Sequence, residues 1–284
     1  MTSRRLRWIF LLLLSLTLLL WYSRLSMSGV TMVNTGVRGY VRVSPGQVGQ
    51  ILHLHCTRCA VVSSSGQMLG SGRGSEIDRQ ECVIRMNVAP TRGFEADVGN
   101  RSTVRVVSHT SVPHLLKKEE YFFGHDADTL YVVWGPERNM RQDGKGRVFN
   151  ALVKLAMKYP RVRIYVVTHE KIQYCDSVFQ NETGKNRMKS GAFLSTGFFT
   201  MILALDVCDS ILVYGMIDGS YCSNSNRTSV PYHYYESSRL DECMMYGVHE
   251  RAKRGGHRFI TEKSIYRRWA SQGRLQFAYP NWSP

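Results

Sequence analysis

The sequence predicts an α/β protein built on a mostly parallel central sheet. Three observations lead there. Short apolar runs rich in Val and Ile recur from about residue 51, as strands buried on both faces of a parallel sheet do. Segments with helical spacing of apolar residues fall between them, the alternation that βα units produce. At 284 residues and 43% hydrophobic, the chain can also bury one large core.

The elements follow in order. Residues 1–7 carry Arg4, Arg5 and Arg7, and residues 8–22 (WIFLLLLSLTLLLWY) carry no charge. The excess of arginine before the run reads as a cytosolic tail, 1–7, and a transmembrane signal anchor, 8–22, with the rest lumenal. As a helix rising about 1.5 Å per residue the run spans roughly 22 Å, which suits a thin membrane. Trp8, Trp21 and Tyr22 stand at its ends as interfacial aromatics do. A cleaved signal peptide is the alternative, with Ser26-Met27-Ser28-Gly29 as the cleavage pattern. Residues 23–50, rich in Ser, Gly, Val and Thr without a period, read as a short stem. Residues 51–284 form the single lumenal domain. Its strands are expected at 60–62, 82–86, 103–108, 129–134, 162–167 and 211–214, and its helices near 112–123, 147–158, 169–180, 196–207 and 262–272. Ligands of such sheets bind at the carboxyl ends of strands, here the loops after Val62, Met86 and Tyr214.

Charge and cysteine usage narrow the class. There are 37 Lys+Arg against 22 Asp+Glu, a net +15, spread along the chain. Such a field favours an anionic partner. Without a zinc-finger pair, an RNP signature or a basic reading helix, nucleic acid is not that partner. Seven cysteines and four N-x-S/T sequons, at Asn100, Asn181, Asn226 and Asn281, agree with an oxidising lumen.

Several motifs compete for chemistry. His53, His55, Cys56 and Cys59 have zinc-ligand types, but no second knuckle follows and lumenal thiols favour disulfides. Cys56-x-x-Cys59 leads into a strand rather than opening a helix, which argues against a redox pair. Asp126 and Asp128 resemble a metal-binding D-x-D, yet they precede a strand instead of following one, as a polar turn does. Ser63-Ser64-Ser65-Gly66 follows a strand and offers hydroxyls and amides to a phosphate, without the Lys of a Walker loop or a full dinucleotide fingerprint. In residues 190–215, Ser195 or Thr196 caps an apolar helix, and its amino terminus with Gly197 can hold an anion or merely cap. His233, followed by Glu236, and His257, followed by Glu262, are two of nine histidines that could serve as a base near neutral pH.

Together these pieces select a family. Residues 59–107 (CAVVSSSGQMLGSGRG…VRVV) resemble the large sialyl motif of the animal sialyltransferases, glycosyltransferase family 29. Residues 194–216 (LSTGFFTMILALDVCDSILVYGM) resemble the small motif, His233-Tyr234-Tyr235-Glu236 the third, and His257-x4-Glu262 the very small motif. The SSSGQMLGSG loop, FQNETGKNR, VPYHYYE and GGHRFITEK are similar to the short-stemmed alpha-N-acetylgalactosaminide alpha-2,6-sialyltransferases, members III to VI, and most of all to member IV.

The resemblance implies a Rossmann-like variant of the GT-A fold, CMP-N-acetylneuraminate as donor, inversion, and no metal or other cofactor. It implies His257 as general base, His233 at the leaving phosphate and Glu262 in support. Ser64, Ser65, Gln67, Asn87, Ser195, Thr196, Gly197, Tyr214 and Gly215 are implied at the donor. It pairs Cys59 with Cys208, and Cys222 with Cys243 as a second bridge, leaving Cys56, Cys82 and Cys175 unassigned. The implied acceptor is the GalNAc of sialyl-alpha-2,3-Gal-beta-1,3-GalNAc on glycoproteins, with gangliosides as the alternative, and the implied location is the Golgi membrane. Ser63-Ser64 stand where many members have Gly-Asn, and Phe198 where relatives have Trp. From other classes, a Golgi sulfotransferase would need a Lys or Arg in 63–72, which is absent, and a non-catalytic lectin would have no need of His233 and His257.

Overall fold

The computed structural model describes residues 36–44, 49–124, 128–236 and 240–281. The tail, the 8–22 run, most of the expected stem and Asp126 lie outside the described residues. Among the described residues no helix is long and apolar enough to cross a membrane.

Nine strands are described: β1 (Val37–Arg42), β2 (Ile51–Leu52), β3 (Cys56–Val62), β4 (Cys82–Met86), β5 (Val104–Ser108), β6 (Leu130–Trp134), β7 (Arg163–Val167), β8 (Cys208–Tyr214) and β9 (Gln276–Tyr279). They make one sheet in the order β2-β1-β7-β6-β5-β4-β3-β8-β9. β3 to β9 run parallel, and β1 pairs antiparallel with β7 and β2. The chain builds leftward from β3 to β7, then returns to the other side of β3 as β8. The switch point therefore lies between β3 and β8, where an open α/β sheet leaves a crevice at its carboxyl edge.

Every residue of β4, β5 and β6 is buried, because both faces are covered. Among the described residues the helices of ten residues or more are α1 (Arg147–Lys158), α2 (His169–Thr183), α3 (Thr196–Val207), α4 (Glu242–Arg251) and α5 (Phe259–Ser271). One core joins Val61, Ile84, Val104 and Val132 of the sheet to Phe198 and Leu203 of α3, Phe179 of α2 and Ile265 and Trp269 of α5. Alternate strand residues, Val107, Tyr131 and Val133, meet Leu152 and Leu155 of α1 on the other face.

The structure corrects several boundaries. Residues 37–42 belong to the sheet and not to a stem. Tyr40 of β1 is buried, its hydroxyl donates to Asp206 at 2.8 Å, and Gly39 sits at φ +94° against Lys171. The expected helix 112–123 breaks into Val112–Leu116 and a π-turn at Glu120–Gly124. The last long helix begins at Phe259, so Glu262 lies in its first turn. α4 and β9 are additional elements. The Asp128 carbonyl accepts from Arg163 at 2.8 Å.

Three disulfides are present. Cys59–Cys208 joins β3 to β8, Cys222–Cys243 ties the loop after β8 to α4, and Cys56–Cys82 joins β3 to β4. Cys175 is free and buried. The sulfurs of Cys56, Cys59 and Cys82 lie within 4.8 Å of one another, but all three are in disulfides, and His55 contacts Asp209 at 2.9 Å instead of joining them. The asparagines of all four sequons are exposed.

Candidate active site

The carboxyl ends of β3 and β8 meet at the switch point. Ser63 N–H donates to the Tyr214 carbonyl at 2.8 Å. The Ser65 hydroxyl accepts from Gln67 N–H at 3.0 Å and caps the tight turn Gly66–Met68. Residues 231–235 run alongside: Gly66 N–H donates to Pro231 O at 3.0 Å, and Tyr234 N–H to Ser64 O at 2.9 Å. A Cβ on Gly66 would lie 2.4 Å from the Pro231 carbonyl, so this close approach requires glycine. Gly215, at φ +77°, backs onto Met68. The Tyr214 side chain is buried and donates to Glu76 at 2.9 Å, which leaves only its backbone and Gly215 at the cradle.

Asn87 closes the cradle from β4. Among the described residues it is the one non-glycine with positive φ, 46°. Asparagine tolerates that region better than most residues. Its Oδ1 accepts from Ser108 N–H at 2.9 Å, and its carbonyl accepts from Arg105 at 2.9 Å.

The amino terminus of α3 is capped by Ser195, one of the two residues the sequence offers, and is also tied to Glu262. Ser195 Oγ accepts from Phe198 N–H at 3.0 Å and donates to Glu262, and Ser195 N–H donates to Glu262 Oε1 at 2.8 Å. Ser195 thus caps the helix and positions this terminus against Glu262. Thr196 and Gly197 are the half-buried residues of this terminus. Burial pushes the Glu262 carboxyl up to about 7 against the opposing pull of its Ser195 bonds.

The next residue ties in the other loop. Lys263 Nζ donates to Ile217 O, just past β8, at 2.8 Å. Its burial, opposed by Glu242 and Glu262, brings the ammonium down to about 8. Glu242 accepts from Tyr246 and from Gln67 Nε2, the latter at 3.2 Å, so the Gln67 amide is already committed on one side. The first turn of α5 thus links the α3 terminus, the post-β8 loop and, through Glu242, the serine loop. Sequence reasoning missed Glu242 and Lys263, which look like ordinary surface charges in a helix.

His257 sits beside the segment leading into α3. Its Nδ1 is 3.1 Å from the Phe193 carbonyl. A carbonyl can only accept, so Nδ1 carries the proton and Nε2 keeps a lone pair in the neutral ring. Burial lowers its pKa, and the neighbouring His249 adds to that. The His249 ring lies parallel at 5.3 Å, and its Nδ1 accepts from His257 N–H at 3.3 Å. His233 is held between Tyr232 at 4.3 Å and Tyr235 at 5.1 Å, with Glu236 Oε1 2.8 Å from Nδ1 and off the N–H direction. Phe259 and Tyr232 bridge the two histidines, at 5.2 Å from His257 and 4.3 Å from His233.

A mostly parallel sheet with a hydroxyl- and amide-rich cradle at its switch point, and histidines beside it, is an arrangement that α/β enzymes use to hold nucleotides. The profile of glycosyltransferase family 29 (sialyltransferase) matches residues 20–274. The chain belongs to that family. It is 56% identical over 244 residues to a Homo sapiens alpha-N-acetyl-neuraminyl-2,3-beta-galactosyl-1,3-N-acetyl-galactosaminide alpha-2,6-sialyltransferase, spanning 86% of this chain and 80% of that one. To a Rattus norvegicus alpha-N-acetylgalactosaminide alpha-2,6-sialyltransferase 3 it is 55% identical over 245 residues, with 86% and 79% covered. The crystal structure of a mammalian sialyltransferase superposes with a TM-score of 0.52 at 25% identity, covering 83% of this chain and 74% of that one.

Proposed function

We propose that this sialyltransferase moves N-acetylneuraminic acid from CMP-N-acetylneuraminate, in alpha-2,6 linkage, to the GalNAc of sialyl-alpha-2,3-Gal-beta-1,3-GalNAc on O-glycoproteins. The acceptor follows from the human relative named for it at 56% identity. The carrying observation for the chemistry is His257, whose contact with the Phe193 carbonyl leaves Nε2 as a base.

The GalNAc 6-OH attacks C2 of the sialyl group while His257 Nε2 takes its proton. The bond from C2 to the phosphate oxygen breaks, its electron pair leaves with CMP, and the anomeric centre inverts. Such a base must come within about 3 Å of the hydroxyl. His233 faces the phosphate as its charge grows, and the Thr196 and Gly197 N–H groups add fixed dipoles. Ser64, Ser65, Gln67, Asn87 and Gly215 hold the nucleotide. These groups do the electrostatic work, so the reaction is expected to proceed without a metal. Residues 8–22 anchor the chain in the Golgi membrane, with the catalytic domain lumenal.

The test is incubation of the full chain with labelled CMP-sialic acid and a panel of acceptors. Label on the GalNAc of a sialylated O-glycopeptide supports the reading. Label on gangliosides alone would replace the acceptor, and no transfer from CMP-sialic acid would overturn the function.

A further inference from the structure

A polar cleft lies beside β4 and β5, lined by Arg105, Thr91 and Ser102. Arg85 and Arg105 are register partners on these parallel strands, and they are only 1% and 3% exposed. Two guanidinium groups thus lie side by side out of water. Neither forms an ion pair with a carboxylate among the described residues. Arg85 donates to the Val98 and Arg101 carbonyls and to the Ser102 hydroxyl. Asp78, a carboxylate whose charge acts on Arg85, is engaged by the N–H groups of Asn100 and Arg101.

Arg105 uses only Nη1, on the Asn87 and Ala89 carbonyls at 2.9 Å each. Its Nε is buried without a partner, as is Nη1 of Arg85. No described residue accepts from Arg105 Nη2 either. Nε is closed off from the cleft, whereas Nη2 stays open to it and can donate a charge-assisted bond to an oxyanion. Arg105 lines a cleft of about 120 Å³ together with Thr91, Arg92, Ser102, Tyr121 and Thr129. At about 30 Å³ per water, that volume holds a small tetrahedral anion with a water or two. Glu95, the acidic residue on its wall, is exposed and accepts from Gly93 N–H at 2.9 Å.

We propose that this cleft binds a small inorganic oxyanion of the phosphate or sulfate class on Arg105. The Arg105 guanidinium also lies 5.1 Å over the Phe122 ring, but neither arginine has a carboxylate in contact among the described residues; such a buried cation pair is costly, and an anion relieves it. Because the same guanidinium holds the Asn87 carbonyl, the bound anion braces the positive-φ turn of the cradle from behind.

Two measurements on the full chain test this. Crystals grown with selenate, an oxyanion visible by anomalous scattering, place a selenium peak on the Arg105 guanidinium. The melting temperature, followed as phosphate replaces gluconate at fixed ionic strength, rises and saturates, by about 5 °C once the ligand far exceeds its dissociation constant. Arg105→Gln abolishes the saturable rise. Ordered water in place of selenium, or a rise that never saturates and is equal in Arg105→Gln, overturns the proposal. If Arg105→Gln does not fold, the selenate crystal of the unsubstituted chain decides alone.

Discussion

Glu262→Gln separates a positioning carboxyl from a catalytic one. Glu262 is 2% exposed, and burial raises its pKa from 4.5 to about 7. The folded state therefore keeps its proton where the unfolded chain has lost it. Stability is fully present below pH 4.5 and falls as pH rises towards 7. At about 1.36 kcal/mol per pH unit, a rise of 2.5 corresponds to about 3 kcal/mol in full. About 2 kcal/mol of that falls between pH 5 and 7.5. Glutamine keeps a carbonyl for Ser195 N–H and cannot ionise. The variant should therefore melt about 5 °C above the unsubstituted chain at pH 7.5 and nearly with it at pH 5. Lys263, lowered to about 8, makes the opposite contribution only above that value, so the scan stops short of it. Activity should survive, because Ser195 stays in place. Parallel melting curves across this range, or a collapse in turnover, would refute the reasoning.

Other consequences follow from the same geometry. Glu242→Leu leaves Lys263 buried without one of its compensating charges and should cost about 3–5 kcal/mol in denaturant unfolding. It should also raise the donor KM through loss of the Gln67 bond. Replacing Cys59 and Cys208 by Ser opens a loop with a sequence separation of 149 and should cost about 5 kcal/mol under non-reducing conditions. The acid limb of kcat/KM against pH should lie below 6.5, since burial lowers His257 and an acid pH protonates the base. Full activity is expected in excess EDTA, and strict dependence on added manganese would contradict the electrostatic account.

The parallel strands were legible because burial on both faces leaves short, largely apolar runs, continuous in β6 and broken only by Arg85 in β4 and Arg105 in β5 before its terminal Ser108. Helix α3 was legible from its Ser195 cap and apolar length. β1 was not, because glycine interrupts it and Tyr40 finds its reason only in Asp206, far along the chain. α4 was hidden for a sharper reason: it buries Glu242, Tyr246 and Gly247 while exposing Met244 and Val248, the reverse of the usual pattern. The serine loop, Asn87 and the two histidines were named through the family motifs, and their part in the reaction is this account's proposal. Glu242 and Lys263 were not, because sequence does not distinguish a buried charge from a solvated one. Ser195 was legible as the helix cap, while its engagement by Glu262 is a tertiary contact that the sequence does not show.

The central claim is that His257 removes the acceptor proton. His257→Ala, assayed with CMP-sialic acid and sialylated GalNAc acceptor alongside direct measurement of CMP binding, tests it most directly. The account predicts a loss of about 10²–10⁴-fold in turnover with CMP affinity kept. Near-normal turnover, or a loss explained wholly by weaker CMP binding, would contradict it.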